Sequence, residues 1–265
     1  MPIRDVSGLS IAELISLRGR VVVVTGGARG IGFAIASRLA EAGASVMIAD
    51  LDVAAARASA DRLGERFDVT VRASPLDVSD STSVSATADM AVAELGGIDV
   101  WVNNAGVYPS TPVLEMSDED WNRVLQVNLG GTFAGAREAA IRMVRAGRGG
   151  VIVNVSSVAG IRGRGPGITH YVASKHGIIG LTKQLALEFA ETGIRVVAVA
   201  PSIIITPGVE EKLDGHGDLN QMLAGPLGRA GLPDDVARVV LFCASDLSMF
   251  MTGSTLLVDG GDMAR

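Results

Sequence analysis

The stretch V-V-V-V-T-G-G-A-R-G-I-G, from Val21 to Gly32, decides the fold. It begins with a short aliphatic run, which is typical of a strand buried on both faces. Glycines then allow a tight turn, and Ile31–Ala42 follows with helical periodicity. This order places free N–H groups and the positive end of a helix dipole where a pyrophosphate can bind. The stretch therefore predicts a dinucleotide site, with a turn needed only for packing as the alternative.

The rest of the chain repeats this alternation of aliphatic runs and longer helical patterns. The predicted strands are Val21–Thr25, Ser45–Ala49, Val69–Ala73, Ile98–Val102, Val151–Val155, Ile194–Ala200 and Ser254–Val258. The predicted helices are Ile31–Ala42, Val53–Arg66, Ser79–Leu95, Asp118–Ala146, Tyr171–Glu191 and Pro233–Ser245. About seven strands with helices between them indicate an α/β fold, a doubly wound parallel sheet of the Rossmann type with helices on both faces.

Domain organisation follows from the absence of any linker-like stretch in the sequence. Residues 17–265 are interpreted as a single dinucleotide-binding and catalytic domain. Residues 1–16 are interpreted as an N-terminal extension with a short amphipathic helix near Gly8–Leu17. An irregular segment near residues 203–230, which contains Gly, Pro and Asp, is interpreted as a substrate flap.

Composition excludes several classes of function. The 265 residues include 23 Lys and Arg against 29 Asp and Glu, and the net charge of −6 disfavours nucleic acid and an anionic membrane surface as partners. No run of about 18 apolar residues or signal-like segment is found, so we expect a cytoplasmic protein. The single Cys243 cannot form an internal disulfide, and His170, His176 and His216 lack metal-ligand spacing, so no metal is expected.

The choice of dinucleotide depends on two residues with opposite effects. Asp50 ends the second predicted strand, where a carboxylate can accept bonds from both ribose hydroxyls and repel a 2′-phosphate. Arg29 lies in the glycine loop, where a cation could bind that phosphate. Asp50 receives the greater weight because burying like charges together is costly. The sequence therefore predicts NAD, with NADP as the alternative.

Two further strand ends carry polar residues at the edge where ligands bind in open α/β sheets. Asp77 follows the third predicted strand, where it could bind an adenine amine or serve as an acid near a helix N-terminus. Asn103-Asn104-Ala105-Gly106 follows the fourth. The asparagines could support the cofactor, form a structural turn, or do both.

The reacting groups are predicted near the fifth strand and the helix that follows it. Tyr171 and Lys175 are four residues apart and share one helix face. A tyrosine base near neutrality needs its pKa lowered by about three units, or about 4 kcal/mol, which an ammonium and a positive nicotinamide ring favour. Ser156 and Ser157 end the strand, where a hydroxyl can polarise a carbonyl. Asn128 is a polar residue in an apolar helical pattern. Because buried polar groups need partners, it either forms structural hydrogen bonds or binds a water molecule of a proton path.

Together, T-G-G-A-R-G-I-G, N-N-A-G, V-N, S-S, Y-V-A-S-K and V-D-G-G resemble the short-chain dehydrogenase/reductase family over residues 17–262. The resemblance implies a catalytic tetrad of Asn128, Ser157, Tyr171 and Lys175. It implies that Tyr171 exchanges a proton with the substrate oxygen and that Ser157 orients the substrate. It also implies that Lys175 lowers the pKa of Tyr171 and binds the nicotinamide ribose, while Asn128 supports a water relay.

The binding residues expected from the loop, the strand ends and the resemblance form two sets. Expected cofactor contacts are Gly26, Arg29, Gly30, Ile31, Gly32, Asp50, Leu51, Asp77, Val78, Asn104, Ala105, Gly106, Tyr171, Lys175, Pro201, Ile204 and Thr206. The expected substrate pocket contains Val107, Tyr108, Ile161, Ile203 and Met222. These pocket residues are mostly apolar, which suggests an apolar or cyclic substrate, although the same side chains could simply pack the flap.

The sequence departs from the family pattern in two places. The interval from Ser157 to Tyr171 is fourteen residues where thirteen is usual, so one residue is inserted in G-I-R-G-R-G-P-G-I-T-H, and Ser156 becomes an alternative to Ser157. The common Pro-Gly after the sixth strand is Pro201-Ser202. If that position needs a positive φ, Ser202 would be strained or the turn reshaped.

The leading hypothesis is an oxidoreductase that transfers a hydride between NAD(H) and a small secondary alcohol or ketone. An NADPH-dependent carbonyl or 3-oxoacyl-carrier-protein reductase, relying on Arg29, is the alternative within the enzyme class. A dinucleotide-binding sensor or scaffold is the non-enzyme alternative, although it would not need the pair Tyr171 and Lys175. The resemblance also implies a homotetramer in which the long helices Asp118–Ala146 and Tyr171–Glu191 pair between subunits.

Overall fold

The computed structural model describes residues 3–209 and 224–264 and contains a seven-stranded parallel sheet. The strand order is β3-β2-β1-β4-β5-β6-β7, and every neighbouring pair is parallel. The strands are β1 (Val21–Thr25), β2 (Ser45–Asp50), β3 (Val71–Pro75), β4 (Val100–Asn103), β5 (Gly150–Val155), β6 (Ile194–Pro201) and β7 (Thr255–Val258). The predicted doubly wound α/β fold is confirmed, and the order reverses between β1 and β4, where such sheets bind ligands.

Helices cover both faces of the sheet. They are α1 (Ile11–Ile15), α2 (Gly30–Glu41), α3 (Val53–Phe67), α4 (Ser81–Leu95), α5 (Asp118–Leu125), α6 (Gly131–Ala146), α7 (Thr169–Glu188) and α8 (Pro233–Ala244). The side chains of β1 show how the core is divided, because Val22 and Val24 belong to one apolar cluster and Val23 to the other. This alternation is the two-residue period of a strand buried on both faces.

Strand ends differ from the predicted ones by up to two residues. β3 begins at Val71 where Val69 was expected, and β4 begins at Val100 where Ile98 was expected. Aliphatic composition marks buried residues, but pairing with the neighbouring strand decides where a ladder starts. Val71 pairs with Val46 and Val100 with Val22, and these pairs set the first positions of the two strands.

The long helix predicted at Asp118–Ala146 is divided into α5 and α6 by a π-helical turn, Gln126–Gly130. Asn128 lies in this turn and is fully buried. Its side chain binds the backbone of Val107, with Oδ1 accepting from the Val107 N–H at 2.8 Å and Nδ2 donating to the Val107 carbonyl at 2.9 Å. Single π-helical turns frequently occur at functional sites, and this one lies behind the wall of the cavity described below.

The N-terminal segment lies against the C-terminal part of the fold. A capping box starts α1, because the Ser10 hydroxyl accepts from the Glu13 N–H and the Glu13 carboxylate accepts from the Ser10 N–H. Arg4 pairs with Asp246, which also binds Arg20 at the start of β1. Within the described ranges, no helix is long and apolar enough to cross a membrane.

Candidate functional site

The glycine loop after β1 forms an open cradle at the N-terminus of α2. No side chain caps this helix end within the described residues, and Gly26 and Gly30 have φ angles of +61° and +54°. A Cβ atom at Gly32 would lie 2.0 Å from the Gly26 carbonyl oxygen and 2.6 Å from Asn104 Nδ2. The loop can therefore keep this conformation only with glycine at position 32. Backbone N–H groups at an uncapped helix end fit the pyrophosphate of a dinucleotide.

Asn104 ties the loop to the end of β4. Its Nδ2 group donates to the carbonyl oxygens of Thr25 and Gly26 at 2.9 and 3.0 Å. The Thr25 hydroxyl accepts from the N–H groups of Asn104 and Ala105 at 3.0 and 3.1 Å. The sequence leaves open whether Asn104 supports the cofactor or forms a structural turn, and these bonds show the structural turn directly. The same contacts fix the shape of the cradle.

Asp50 is held at the edge of the glycine loop. Its Oδ2 atom accepts from the Ala28 N–H at 3.0 Å, and its Oδ1 atom accepts from the Asp52 N–H at 3.1 Å. Arg29 forms an ion pair with Asp52 at 2.6 Å. Its side chain is 70% exposed, so this pair is worth little energetically and can open. The fixed carboxylate is suited to ribose hydroxyls.

Three of the expected cofactor residues lie outside the cavity described below, and their contacts with a cofactor stay a prediction. Asp77 is exposed, and its carboxylate accepts from the N–H and the hydroxyl of Ser79 in the turn before α4. This is the alternative role as an acid near a helix N-terminus. Val78 packs against Gly131, and the Leu51 side chain is 77% exposed. None of the three lines the cavity as the described residues outline it.

A cavity of about 820 Å³ lies next to the glycine loop at the carboxyl ends of the strands. Its wall joins the loop, the predicted reacting groups and the described part of the flap. The lining includes Ile31, Asn104, Gly106, Tyr108, Ser156, Ser157, Arg162, Arg164, Ile168, Tyr171, Lys175, Pro201, Ser202, Ile203, Ile204, Thr206 and Val209. Thr206 also contacts the glycine loop, since a Cβ at Gly30 would lie 3.5 Å from Thr206 Cγ2.

Ser157, rather than Ser156, is placed beside the phenol of Tyr171. The Ser156 hydroxyl is buried and donates to the Lys175 carbonyl at 2.9 Å, so it is used to hold α7 against β5. Ser157 is partly exposed and hydrogen-bonds to the Tyr171 side chain. Its hydroxyl also accepts from the Ala159 N–H at 3.1 Å. The longer loop between Ser157 and Tyr171 therefore leaves the pair in contact.

The electrostatics of the pair Tyr171 and Lys175 differ from the expectation. Burial raises the pKa of Tyr171 above its ordinary value, against a smaller lowering by the hydrogen bond with Ser157. Burial lowers the pKa of Lys175 to about 8. The Lys175 ammonium donates to the Val155 carbonyl at 2.9 Å and lies 5.6 Å from the centre of the Tyr171 ring. In this geometry the phenol carries its proton at neutral pH, which suits a proton donor.

Because burial disfavours its charge, we expect Lys175→Met to raise the free energy of unfolding at pH 7. A pKa of about 8 against 10.5 corresponds to about 3 kcal/mol, from which the lost bond to Val155 removes about 1–2 kcal/mol. Between pH 8 and 10.5 the unfolded state binds more protons at this site, so wild-type stability rises with pH there. The gain in the variant should therefore shrink from pH 7 to pH 10 in denaturant unfolding.

Lys183→Met is the matched control for that measurement, because Lys183 is an exposed lysine on the same helix. It should leave the pH dependence of the wild type in place. A Lys175→Met protein that is less stable than the wild type at pH 7, or that keeps the wild-type slope between pH 8 and pH 10, would contradict the burial argument.

Asn128 supports the cavity wall from behind. Besides its two bonds to Val107, its Nδ2 group donates to the Ser174 hydroxyl at 3.1 Å. A Cβ at Gly106 would lie 3.1 Å from Asn128 Oδ1 and 3.9 Å from Lys175 Nζ, so Gly106 separates the two side chains. Of the two roles considered for Asn128, the structure shows the structural one, in which its side chain forms hydrogen bonds that hold neighbouring segments together. The water relay stays a prediction.

Two of the five residues expected in the substrate pocket line this cavity, and their contact with a substrate stays a prediction. Tyr108 and Ile203 line the cavity, and the Tyr108 ring lies 6.4 Å from that of Tyr171. The backbone of Val107 binds the Asn128 side chain, Ile161 is exposed, and neither residue lines the cavity as the described residues outline it. Met222 and its neighbour Leu223 lie outside the described residues. Sequence analysis did not identify Arg162, Arg164 or Ile168 as lining residues, because no short motif links a glycine-rich loop to one wall of a cavity.

The observations together fit a nicotinamide dinucleotide. The glycine cradle, the fixed Asp50 carboxylate and the adjoining cavity supply sites for a pyrophosphate, a ribose and a nicotinamide ring. Among residues 3–209 and 224–264, no group of three or more His, Cys, Asp or Glu side chains could hold a metal ion.

Comparisons with known proteins give a consistent result. A family model described as enoyl-(acyl carrier protein) reductase matches residues 26–262. The 3-oxoacyl-(acyl-carrier-protein) reductase FabG of Chlamydia trachomatis is 42% identical over 92% of this chain and 98% of that protein. D-threitol dehydrogenase of Mycolicibacterium smegmatis is 40% identical over 96% of each chain. The crystal structure of a short-chain type dehydrogenase/reductase from Mycobacterium marinum superimposes with a TM-score of 0.91, at 35% identity over 97% of this chain and 100% of that one.

Proposed function

Because this chain belongs to the short-chain dehydrogenase/reductase family, we propose that it transfers a hydride between NAD(H) and a secondary alcohol or ketone. One observation carries the proposal: Ser157, Tyr171 and Lys175 line the same cavity as Ile31 and Thr206 at the glycine loop. A phenol, a hydroxyl and an ammonium are thereby placed next to the predicted dinucleotide cradle. We further propose that the reaction takes place within one domain, residues 17–265.

The dinucleotide would supply the hydride or accept it when bound, and the protein would bind, orient and exchange the proton. Gly26, Gly30 and Gly32 would shape the pyrophosphate cradle, while Asp50 would accept bonds from the ribose hydroxyls. Asn104, Ala105 and Gly106 would support the cradle from β4. Pro201, Ile204 and Thr206 line the same cavity as Tyr171 and would border the nicotinamide ring.

Tyr171 would act as the proton donor in reduction. Its raised pKa keeps the phenol protonated at neutral pH, and transfer of that proton to the carbonyl oxygen completes the alcohol. The Ser157 hydroxyl would hydrogen-bond to the same oxygen and hold it near Tyr171 Oη. Lys175 would bind the nicotinamide ribose, and its charge would favour the phenolate left after proton transfer. Oxidation would use the same groups in reverse.

The substrate remains a choice between two classes within this reaction. Tyr108, Ile168, Ile203 and Ile204 give the cavity apolar surface, which favours an apolar or cyclic alcohol or ketone. The similarity to the FabG reductase favours instead a 3-oxoacyl group on a carrier protein, reduced by NADPH. A dinucleotide sensor or scaffold is disfavoured because neither would need a partly buried phenol beside a serine hydroxyl.

We predict that the wild type prefers NAD over NADP and that Asp50→Ser reverses the preference. The Asp50 carboxylate repels a 2′-phosphate and binds the ribose hydroxyls, so its loss should lower kcat/KM with NAD by about 10–100-fold. NADP should gain because Arg29 can leave its exposed pair with Asp52. Initial rates with both dinucleotides measure the ratio.

Arg29→Ala is the variant to compare with Asp50→Ser, because it should shift the preference between the two dinucleotides further toward NAD. It should lower turnover with NADP and leave turnover with NAD near the wild-type value. A wild type that prefers NADP, with the preference lost in Arg29→Ala, would overturn the weight given to Asp50 and favour the carrier-protein reductase.

Turnover is tested by absorbance at the reduced-nicotinamide band across a panel of secondary alcohols, ketones and 3-oxoacyl thioesters. NAD-linked turnover of cyclic or apolar alcohols supports the leading proposal. Turnover confined to 3-oxoacyl thioesters with NADPH supports the alternative. Tight dinucleotide binding with no turnover of any member would favour the sensor.

We also propose a cytoplasmic homotetramer. Exposed apolar side chains lie on the helices expected to pair between subunits, with Phe133 and Val144 on α6 and Leu187 on α7. Burying such side chains between copies would explain their exposure in the single chain. Sedimentation of the purified protein measures the oligomeric state directly.

A further inference from the structure

The two departures from the family pattern meet at one carboxylate near the C-terminus. Asp262 is buried, and its Oδ2 atom accepts from the Ser202 hydroxyl at 2.9 Å and from Arg164 Nη1 at 2.7 Å. Arg162 Nη2 donates to the Asp262 carbonyl at 3.2 Å and lies 3.4 Å from Oδ1. Both arginines belong to the longer loop between Ser157 and Tyr171, and Ser202 replaces the usual glycine.

We propose that Asp262 is a positioning residue that holds the loop of residues 161–168 and Ser202 as one wall of the substrate pocket. This inference rests on the proposed function, because it assumes that the cavity beside Tyr171 receives the substrate. Asp262 does not itself line that cavity, whereas Arg162, Arg164 and Ser202 do. It therefore acts on the pocket through the side chains it binds.

The loop needs such an anchor because it has little packing of its own. Gly163 and Gly165 are exposed, and a Cβ at either would meet no other atom within 4 Å. Glycine-rich exposed backbone loses much conformational entropy when it is fixed. Near its other end the loop is held by a bond from the Thr111 N–H to the Gly167 carbonyl at 2.8 Å. Asp262 supplies the second fixed point through Arg162 and Arg164.

The anchor is itself firmly placed. The Asp259 carboxylate accepts from the N–H groups of Gly261 and Met263 at 3.0 and 2.8 Å, which orders the turn directly after β7. Ser202 follows β6, and its N–H donates to the Val258 carbonyl at 3.1 Å. Asp68 is the only non-glycine residue with positive φ in the described part of the chain, so Ser202 is not strained. The serine adds a bond at a position where glycine offers none.

The groups around Asp262 stabilise the charged form of its carboxylate. Burial disfavours the charged form, yet the Ser202 hydroxyl and the two guanidinium groups together keep the pKa of Asp262 below its ordinary value. If the buried Asp262 carboxylate is replaced by a neutral group, the guanidinium groups of Arg162 and Arg164 lose the charge that compensates them. Loss of the Asp262 charge should therefore release the arginines and the loop that carries them.

Asp262→Asn tests the anchor with a nearly isosteric change. We expect trypsin to cleave after Arg162 and Arg164 at least about tenfold faster than in the wild type, because a released loop opens more often. With a substrate in hand, KM should rise about tenfold while kcat stays within about threefold, since Tyr171 and Ser157 are not changed. The Kd for the dinucleotide should not change.

Asp234→Asn is the matched control, because Asp234 also bridges two arginines, Arg38 and Arg238, away from the cavity. It should leave cleavage of the loop and KM at their wild-type values. Arg164→Met removes the same contact by changing the loop residue instead of Asp262, and it should speed cleavage after Arg162. This variant keeps the proposal testable even if Asp262→Asn folds poorly. Equal cleavage rates and KM values for the wild type, Asp262→Asn and Asp234→Asn would overturn the proposal.

The proteolysis result is independent of catalysis. Faster cleavage in Asp262→Asn and Arg164→Met supports the anchor even if no compound in the panel is turned over by the wild type. The failure of the anchor and the failure of the proposed reaction are therefore told apart by different measurements.

Discussion

Tyr171→Phe is expected to lower kcat by about 10²–10⁴-fold, the usual contribution of a positioned acid or base. The variant keeps the ring but has no proton to give to the carbonyl oxygen. Ser157 and Lys175 remain in place, so orientation of the substrate is largely retained. The Kd for the dinucleotide should stay within about threefold, because the phenol hydroxyl is a small part of the binding surface. Steady-state rates and fluorescence titration with the reduced dinucleotide measure the two effects.

Tyr108→Phe provides the comparison for that variant. It removes the hydroxyl of the other tyrosine in the same cavity, whose ring centre lies 6.4 Å from that of Tyr171. We expect a decrease in kcat of less than about tenfold, because Tyr108 is not the proton donor of the proposed path, whereas Tyr171 hydrogen-bonds to Ser157. Similar losses in the two variants, or full activity of Tyr171→Phe, would remove Tyr171 from its proposed role.

Gly32→Ala is expected to weaken dinucleotide binding by about 100-fold or more. The new Cβ would lie 2.0 Å from the Gly26 carbonyl and 2.6 Å from Asn104 Nδ2, so the backbone of the loop must move. Moving it displaces the N–H groups that we propose face the pyrophosphate, and a loss of about 3 kcal/mol in binding corresponds to about 100-fold in Kd. Overpacking of this kind should also lower the free energy of unfolding by about 1–3 kcal/mol. Calorimetric titration and denaturant unfolding measure the two losses.

Gly64→Ala is the control for a glycine whose helix position tolerates a side chain. Gly64 lies in α3, and a Cβ there would make an ordinary contact of 3.6 Å with the Val69 carbonyl. It should leave the dinucleotide Kd unchanged and raise the stability by up to about 1 kcal/mol, because alanine favours helix. Wild-type affinity in Gly32→Ala would show that the loop does not form the cradle.

The sequence identified the sheet and the residues around its carboxyl edge for physical reasons. Buried parallel strands are continuous aliphatic runs, and the glycine loop must follow the first of them for its N–H groups to face a ligand. Helix spacing placed Tyr171 and Lys175 on one face. The choice of Ser157 over Ser156 depended on which hydroxyl the helix α7 uses for packing, and only the structure shows that Ser156 binds the Lys175 carbonyl.

Other features of the site depend on contacts between distant parts of the chain. Asn128 lies in the π-helical turn and binds the backbone of Val107, a contact that no local pattern encodes. The low pKa of Lys175 comes from burial, which its sequence position does not reveal. Asp262 lies 98 residues from Arg164, and no local pattern indicates that the two side chains meet. The apolar periodicity of the sequence predicts one continuous helix across Asn128. Side-chain bonds to another loop do not change that periodicity, so the interruption of the helix could not be predicted.

We propose above that this protein transfers a hydride between a nicotinamide dinucleotide and a carbonyl carbon, with Tyr171 supplying the proton. Mass spectrometry of ketones incubated with NADH deuterated at the transferred position tests it most directly. We expect one deuterium on the product carbon with the wild type, and a rate reduced by about 10²–10⁴-fold with Tyr171→Phe. Tight binding of the dinucleotide without deuterium in any product, or equal transfer by the two proteins, would contradict it.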